Sequence, residues 1–369
     1  MKYDVCIVGA GIVGLSHAYW CSKKGLKVLV VDKDQSCLGA SIRNFGLFWE
    51  IGQEKEFSDM VQISKSVWNE FFTETNAWYK NNGALGLAYH DVEYEVIREY
   101  VNESYDQSHQ LLSSKEVEGL FPYVNASNLK GALLSKNEKT INSRETIPKI
   151  KEWLKDKYKV EFLNNTLIIG ESLPIIFTNQ GQINAEKLIV TTGSDYEYLF
   201  PEVYKGENIT KCKLQMLKTN PIVTRIEPTL FSATSFIHYN SFSICKSLED
   251  LRKRIAKESP DIISNGINIL IAQNNHNELL IGDSHIYSDA VSPFNSENID
   301  NSILTGVHSL LKNEKLEIKE RWTGVYTKSM DKKYLVKKIS DNILIVNALA
   351  GAGMTLSFGL AKKTMEDFL

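Results

Sequence analysis

The chain has 369 residues, 43% of them apolar and 24% charged. At roughly 150 residues per domain this suggests about two domains, each able to bury a core without disulfide or metal staples, and it excludes a disordered chain, a collagen-like repeat and a small cystine scaffold. Acidic residues outnumber basic ones, 45 to 42, and the resulting net charge of −3 is no electrostatic footprint for nucleic acid or an anionic membrane.

In chain order, residues 2–8 read as a buried parallel strand, apolar without a break after Asp4. A glycine turn leads into a helix over 12–24. Gly25 stops it, and Lys23 and Lys24 suit the negative end of its dipole. A second buried strand at 27–32 completes a βαβ unit. A glycine-punctuated stretch covers 39–52. Helices are expected over 56–80 and 92–109, on either side of a strand at 84–89, and over 144–156 behind Asn142 or Ser143 as cap. A β-rich block follows at 160–163, 167–169, 174–178 and 187–192. Residues 212–290 alternate strands with one charged helix at 248–257. A late strand at 343–346, a glycine turn and a helix from about Thr355 end the pattern. Strand–glycine–helix elements at both ends of a β-rich middle predict a mixed α/β fold. Residues 1–85, 142–205 and 330–369 form its discontinuous nucleotide-binding domain, and 86–141 and 206–329 an inserted substrate-binding domain.

The five cysteines, Cys6, Cys21, Cys37, Cys212 and Cys245, are odd in number and none has CxxC spacing. Reduced thiols in a cytoplasmic protein without a metal site are expected. The apolar stretch 5–15 is not read as a signal peptide, because Asp4 precedes it and no basic segment does. No apolar run approaches the roughly 18 residues that span a bilayer.

Gly9, Gly11 and Gly14 form GxGxxG between the first strand and the first helix. The first permits the tight turn, the second lets backbone approach a pyrophosphate, and the third lets helix and strand pack closely. The helix N-terminus then faces the phosphates. Asp32 ends the second strand, 21 positions after Gly11, where a carboxylate accepts from a ribose hydroxyl and opposes a 2′-phosphate. No second GxGxxG occurs. Thr191, Thr192 and Gly193 end another buried strand, and Gly351, Gly353, Met354 and Thr355 lie between the last strand and last helix. A simple NAD dehydrogenase has no need of that last turn. In a flavoprotein a second helix N-terminus stabilises the anionic reduced flavin.

These motifs, with GAS at Gly39 to Ser41, resemble the D-amino-acid oxidase and sarcosine oxidase superfamily over nearly the whole chain. More narrowly, SIRNFGLFWEIGQ (Ser41 to Gln53), CKLQM (Cys212 to Met216), GDSHIY (Gly282 to Tyr287) and RWTGVY (Arg321 to Tyr326) are similar to the FAD-dependent oxidoreductases found beside phosphonate-degradation genes. That resemblance implies a GR2-type FAD fold. Gly9, Gly11, Ile12, Val13, Gly14, Asp32 and Lys33 would hold the ADP half. Ala40, Ser41, Arg43, Asn44, Phe45 and Gly46 would run from pyrophosphate to isoalloxazine. Leu167 would offer backbone near the adenine, Thr192 and Gly193 would flank the cofactor, and Gly351, Gly353, Met354 and Thr355 would meet the flavin's pyrimidine edge. It also implies hydride transfer to flavin N5 from the carbon beside a neutral amine, because an ammonium cannot support the forming iminium. The imine then hydrolyses, and no acid–base dyad is required. No cysteine stands in the strand, loosely Thr323 to Tyr326, where some sarcosine oxidases tether flavin, so FAD is expected to be non-covalent. If His285 matches a histidine of those enzymes, the lysine that assists their reaction with oxygen is replaced by Ile281. That leaves oxygen or another acceptor open.

The substrate implied is a small anionic amine: an aminophosphonate such as 2-aminoethylphosphonate or its N-methyl derivative, or an amino carboxylate. A non-catalytic nucleotide-binding redox module is the alternative of another class. An anion calls for arginine. Of seven arginines, Arg252, Arg254 and Arg98 are expected on solvated helix faces, while Arg43 in the glycine-flanked loop and Arg321 at a strand start are candidate anchors. His285, oriented by Asp283, is a candidate catalytic residue. Tyr239, Tyr287 and Tyr326 are candidate pocket walls, as is Trp49. Lys213 and Gln215 alternate on one strand and share a face, so one of them is expected to point into the pocket. The sequence leaves oligomeric state open.

Overall fold

A computed structural model describes residues 1–312 and 314–369 of the chain. The strand Lys2–Val8 is the centre of an eight-stranded sheet. Its parallel part runs Ile343–Asn347, Gly181–Val190, Lys2–Val8, Val28–Val31, Glu161–Leu163. Alternation splits the central strand between two cores. Val5 and Ile7 pack with Leu15, Trp68, Ile150 and Phe358 on one side. Cys6 and Val8 pack with Leu188, Leu199 and Tyr204 on the other. A strand buried on both faces has no polar side to show, which is why it reads as an unbroken apolar run.

Helices Ile12–Lys23, Ser58–Thr75, Ser143–Tyr158 and Gly353–Phe368 cover the first face. The contact between Gly353–Phe368 and Ser58–Thr75 is backbone to backbone: a Cβ on Gly359 would lie 2.2 Å from the Met60 carbonyl oxygen. Trp68, fully buried, donates its indole N–H to the Met354 carbonyl at 2.9 Å. The last helix, and the glycine turn that opens it, are thereby fixed from below. Burial of a side chain of this size contributes about 2–3 kcal/mol.

A nine-stranded sheet carries the other core. Ile209–Thr219 pairs along its length with Ile318–Ser329 and, on its other edge, with Leu279–Gly282 and Ile286–Ser288. Leu270–Gln273, Thr229–Phe231, Ala84–Ala88, Gly131–Ser135 and Gln110–Ser113 continue it. A small sheet of Leu47–Phe48, Lys139–Ile141 and Tyr79–Asn81 stands between the two. Gly46 makes that junction possible: it has φ +69°, and a Cβ there would lie 1.8 Å from the Ile141 carbonyl oxygen.

Several expectations change. The helix expected over 56–80 ends at Thr75, because Asn76 takes the left-handed conformation (φ 52°) and the chain re-enters as the strand Tyr79–Asn81. The helix expected over 92–109 ends at Glu103. Ser104 is extended there, and its hydroxyl is engaged by Asp106 O and His109. Helix Glu297–Leu310 has no counterpart in the sequence reading. Asn142 is the N-cap of Ser143–Tyr158, but its side chain donates to Asn275 instead of capping. Among the described residues no helix is long and apolar enough to cross a membrane.

Candidate active site

One cavity of about 520 Å³ begins at the GxGxxG turn and ends between the two sheets. At its first end Gly9 turns the chain with φ +99°. A Cβ on Gly14 would lie 2.0 Å from the Gly9 carbonyl oxygen, so helix Ile12–Lys23 sits against the turn at a distance only glycine allows. That helix has Gly11 as N-cap, no side-chain cap and no acid in its first turn, leaving its positive end facing the cavity. Asp32 accepts from Ala10 N at 2.6 Å and from Asp34 N at 2.9 Å, tying the second strand to the glycine turn. A carboxylate has about four acceptor positions, so two remain for a diol. Ser41 Oγ accepts from Ile12 N at 2.9 Å, bringing the 39–44 loop beside the helix start.

Most nucleotide-site residues read from the sequence line this cavity: Gly9, Gly11, Ile12, Val13, Asp32, Lys33, Ala40, Ser41, Arg43, Asn44, Phe45, Thr192, Gly193, Gly351, Gly353, Met354 and Thr355. Three do not. Gly14 lies behind the turn as its packing contact, and Gly46 is the close approach to Ile141. The Leu167 N–H and carbonyl are both bonded to Asn179, and its neighbour Thr166 lines the wall instead. Thr192 Oγ1 and Trp49 Nε1 are buried on this cavity without a partner. Such atoms call for a polar ligand, and an elongated dinucleotide, with phosphates at the helix start and a polar ring farther along, suits the donors present.

At the other end the cavity reaches His285, His238, Tyr239, Asp283, Asn268 and Tyr326. His285 Nδ1 is 2.9 Å from the Gly266 carbonyl, so Nδ1 carries the hydrogen and Nε2 is the free acceptor. Nε2 stands 3.7 Å from Asp283 Oδ2, and the His238 ring centroid is 4.1 Å from that of His285. Burial pushes the Asp283 carboxyl up to about 6, against the opposing pull of His285 and Asn268. Burial, then His285 and Lys328, hold His238 well below the usual histidine range. Burial pushes the Tyr239 and Tyr326 phenols up, so both stay neutral donors. Trp49 stands edge-on to Phe231 and 5.9 Å from Tyr239.

Three expected site residues sit elsewhere. Lys213 donates to the Phe294 carbonyl. Gln215 is bonded to Ser296 and, at 2.7 Å, to Asp300. The two share a face, but it is the rear one; Leu214 and Met216, of the opposite parity, line the cavity. Arg321 pairs with Asp300 at 2.8 Å. Arg43 does line the cavity, donating to the Thr323 carbonyl at 3.2 Å. Arg254, expected in solvent, packs on buried Glu93 at 2.7 Å. Ile281 is fully buried in the apolar core. Sequence reasoning missed His238, Asn268 and Lys328; only the fold brings them to GDSHIY. Among the described residues no group of His, Cys, Asp or Glu is arranged to hold a metal ion.

The sequence profile of the FAD dependent oxidoreductase family, DAO, matches residues 4–366. The chain belongs to this family. D-amino acid dehydrogenase of Helicobacter pylori is 24% identical to this chain over 253 residues, 53% of this chain and 61% of that protein. Monomeric sarcosine oxidase of Arthrobacter sp. is 26% identical over 202 residues, 52% of this chain and 51% of that protein. The chain thus spans between half and two thirds of these curated relatives. In three dimensions the chain is similar to glycine oxidase from Bacillus cereus, with a TM-score of 0.80 at 16% identity, over 100% of this chain and 95% of the other. At that identity the likeness is one of fold.

Proposed function

We propose that this flavoenzyme oxidises the C–N bond of a small primary or secondary amine carrying an anionic group, an aminophosphonate such as 2-aminoethylphosphonate or its N-methyl derivative. The observation that carries the reading is the state of the arginines. Arg98, Arg144, Arg225, Arg252, Arg254 and Arg321 each pair with a carboxylate. Among the described residues Arg43 alone has none, and it lines the cavity that also holds His285 and Tyr239. A guanidinium with donors to spare in a concave site is a receptor for an oxyanion.

Bound FAD supplies the two-electron acceptor. Gly9, Gly11 and the start of helix Ile12–Lys23 would hold its pyrophosphate, Asp32 its ribose, and the Gly353–Thr355 turn its pyrimidine edge, without a covalent tether. In this reading 1–85, 142–205 and 330–369 hold FAD and 86–141 and 206–329 face the substrate, which Arg43 and Trp49 reach from the first part. Arg43 orients the anionic end of the amine. Tyr239, Tyr326 and Trp49 wall the reacting end from water, and His285 Nε2 faces it as an acceptor.

Motifs 41–53, 212–216, 282–287 and 321–326 support the phosphonate. The amino carboxylate fits the same cavity equally well and is favoured by the names of the relatives. Anaerobic addition of N-methyl-2-aminoethylphosphonate, and separately of sarcosine, to the yellow holoenzyme tests both. Bleaching of the oxidised-flavin band by the phosphonate at lower concentration is expected. Faster bleaching by sarcosine overturns the phosphonate, and no bleaching by any amine overturns the reading. The electron acceptor is oxygen or another oxidant; Ile281, buried in the apolar core away from the cavity, does not decide between them.

A further inference from the structure

We propose that His238, His285 and Asp283 act together as the acceptor for the proton that the amine substrate must lose before it is oxidised. The inference rests on the amine-oxidising function proposed above. Small aliphatic amines are ammonium ions at neutral pH, since an alkylammonium titrates near 10.4 in lysine. The electron pair needed to support a forming C=N bond is tied up in the fourth N–H bond. The site must therefore either select the rare neutral form or remove the proton itself.

The three side chains come from different places. His238 ends the helix Ala233–His238. Asp283 and His285 follow the strand Leu279–Gly282. His285 Nδ1–H is committed to the Gly266 carbonyl at 2.9 Å, which leaves Nε2 as the acceptor of the ring. Asp283 Oδ2 is 3.7 Å from that nitrogen, too far for a bond while the ring is neutral but near enough to stabilise an imidazolium. Asn268 holds the same carboxylate, its amide 3.3 Å from Asp283 Oδ1, and is itself fixed by Ser235 at 2.5 Å. The His238 ring lies 4.1 Å from the His285 ring, and a charge on His285 opposes one on His238.

The other groups facing the cluster bear on His238 alone or stay neutral. Lys328 lines the same wall, and its cation raises the cost of protonating His238. Tyr239, Tyr287 and Tyr326 are held neutral by burial, as is the Cys212 thiol, pushed up to about 12. None competes for the proton. In the transfer the ammonium N–H bond breaks, an N–H bond forms at imidazole, and the electron pair stays on the amine nitrogen. The proton leaves to solvent after product. Nothing is oxidised in this step.

The test is the pH profile of anaerobic flavin reduction in the holoenzyme, with N-methyl-2-aminoethylphosphonate and with sarcosine, for wild type, His285→Gln, His238→Gln and Asp283→Asn. In wild type kcat/KM is expected to rise with pH and level off near neutrality. His285→Gln is expected to lose about 100-fold at pH 7 and only a few-fold at pH 10, where solvent has removed the amine proton. Asp283→Asn moves the acid limb with smaller loss. The ratio of rates at pH 10 and pH 7 within one protein is insensitive to a partly misfolded fraction. If His285→Gln and His238→Gln both keep the wild-type ratio, the proton-accepting role is overturned while the amine-oxidising function stands. If no amine reduces the wild-type flavin, that function has failed, and this inference with it. Should His285→Gln lose its flavin, His238→Gln and Asp283→Asn decide between the outcomes.

Discussion

Replacement of Arg43 by methionine removes the guanidinium and keeps much of the side chain's apolar bulk. The native group makes one bond, to the Thr323 carbonyl, and has no carboxylate to leave behind, so its loss strands no buried countercharge. The cost then falls on ligand binding. A hydrogen bond to a charged group contributes about 1.5–3 kcal/mol, and partial exposure of Arg43 places the effect toward the lower part of that range. At about 1.4 kcal/mol per decade, kcat/KM for an anionic amine should fall on the order of 10- to 100-fold, mainly through KM. Arg43→Lys keeps the charge without the planar fork and should fall between. The assay is anaerobic flavin reduction against concentration, for sarcosine and for its uncharged amide, with flavin content measured in each preparation. The expected signature is a loss confined to the anionic amine. Equal losses for acid and amide would refute the anchoring argument, and loss of bound flavin with unchanged KM in the remaining holoenzyme would move Arg43 to the cofactor.

Gly14→Ala places a Cβ 2.0 Å from the Gly9 carbonyl oxygen, so the purified variant should be depleted in flavin and melt several degrees lower, as absorbance ratio and thermal unfolding will show. Lys213→Met acts on the rear face of its strand and should leave KM for both amines unchanged; a change would put that face in contact with substrate. Glu138 is fully buried, accepts from Ile51 N at 2.9 Å, and is pushed by burial up to about 7. Its folded form holds a proton that the unfolded chain releases near 4.5, so stability is fully present below that pH and is lost as pH rises toward 7. Glu138→Gln should therefore stabilise at pH 8 by on the order of 3 kcal/mol and hardly at all at pH 4.5; a denaturant midpoint shift independent of pH would refute this.

The first glycine turn and the elements around it were legible because their constraints are local. Gly9, Gly11, Gly14 and Asp32 act through backbone geometry at fixed spacing, and the strand and helix around them announce themselves by apolar pattern. The second glycine turn was legible for the same reason, although what fixes it, the bond from Trp68 to Met354, spans 286 positions and leaves no trace in spacing. Gly46 and Leu167 show the limit. Both lie in the right segments, but whether such a residue faces a ligand or packs on a neighbour depends on a partner far away in sequence, Ile141 for one and Asn179 for the other. His238 was invisible because one histidine at the end of a six-residue helix carries no pattern.

The misplaced substrate residues have a common origin. Strand parity correctly joined Lys213 with Gln215, but parity does not say which face is inside. Burial by hydrophobicity would decide it only if one face were wet, and Ile209–Thr219 is buried on both faces from Cys212 onward. Helix Glu297–Leu310 and the segment before it cover the rear face. They satisfy Lys213 through Phe294, Gln215 through Ser296 and Asp300, and Arg321 through Asp300 and Glu297. All three residues looked like free polar groups in need of a ligand because the segment that pairs them had not been recognised. Once that helix is in place, buried polarity on the rear face is accounted for. Of the two arginines singled out as anchors, Arg43 alone remains on the cavity without a carboxylate. Among the arginines an anion receptor is thus defined by subtraction: it is the guanidinium that the fold does not itself neutralise.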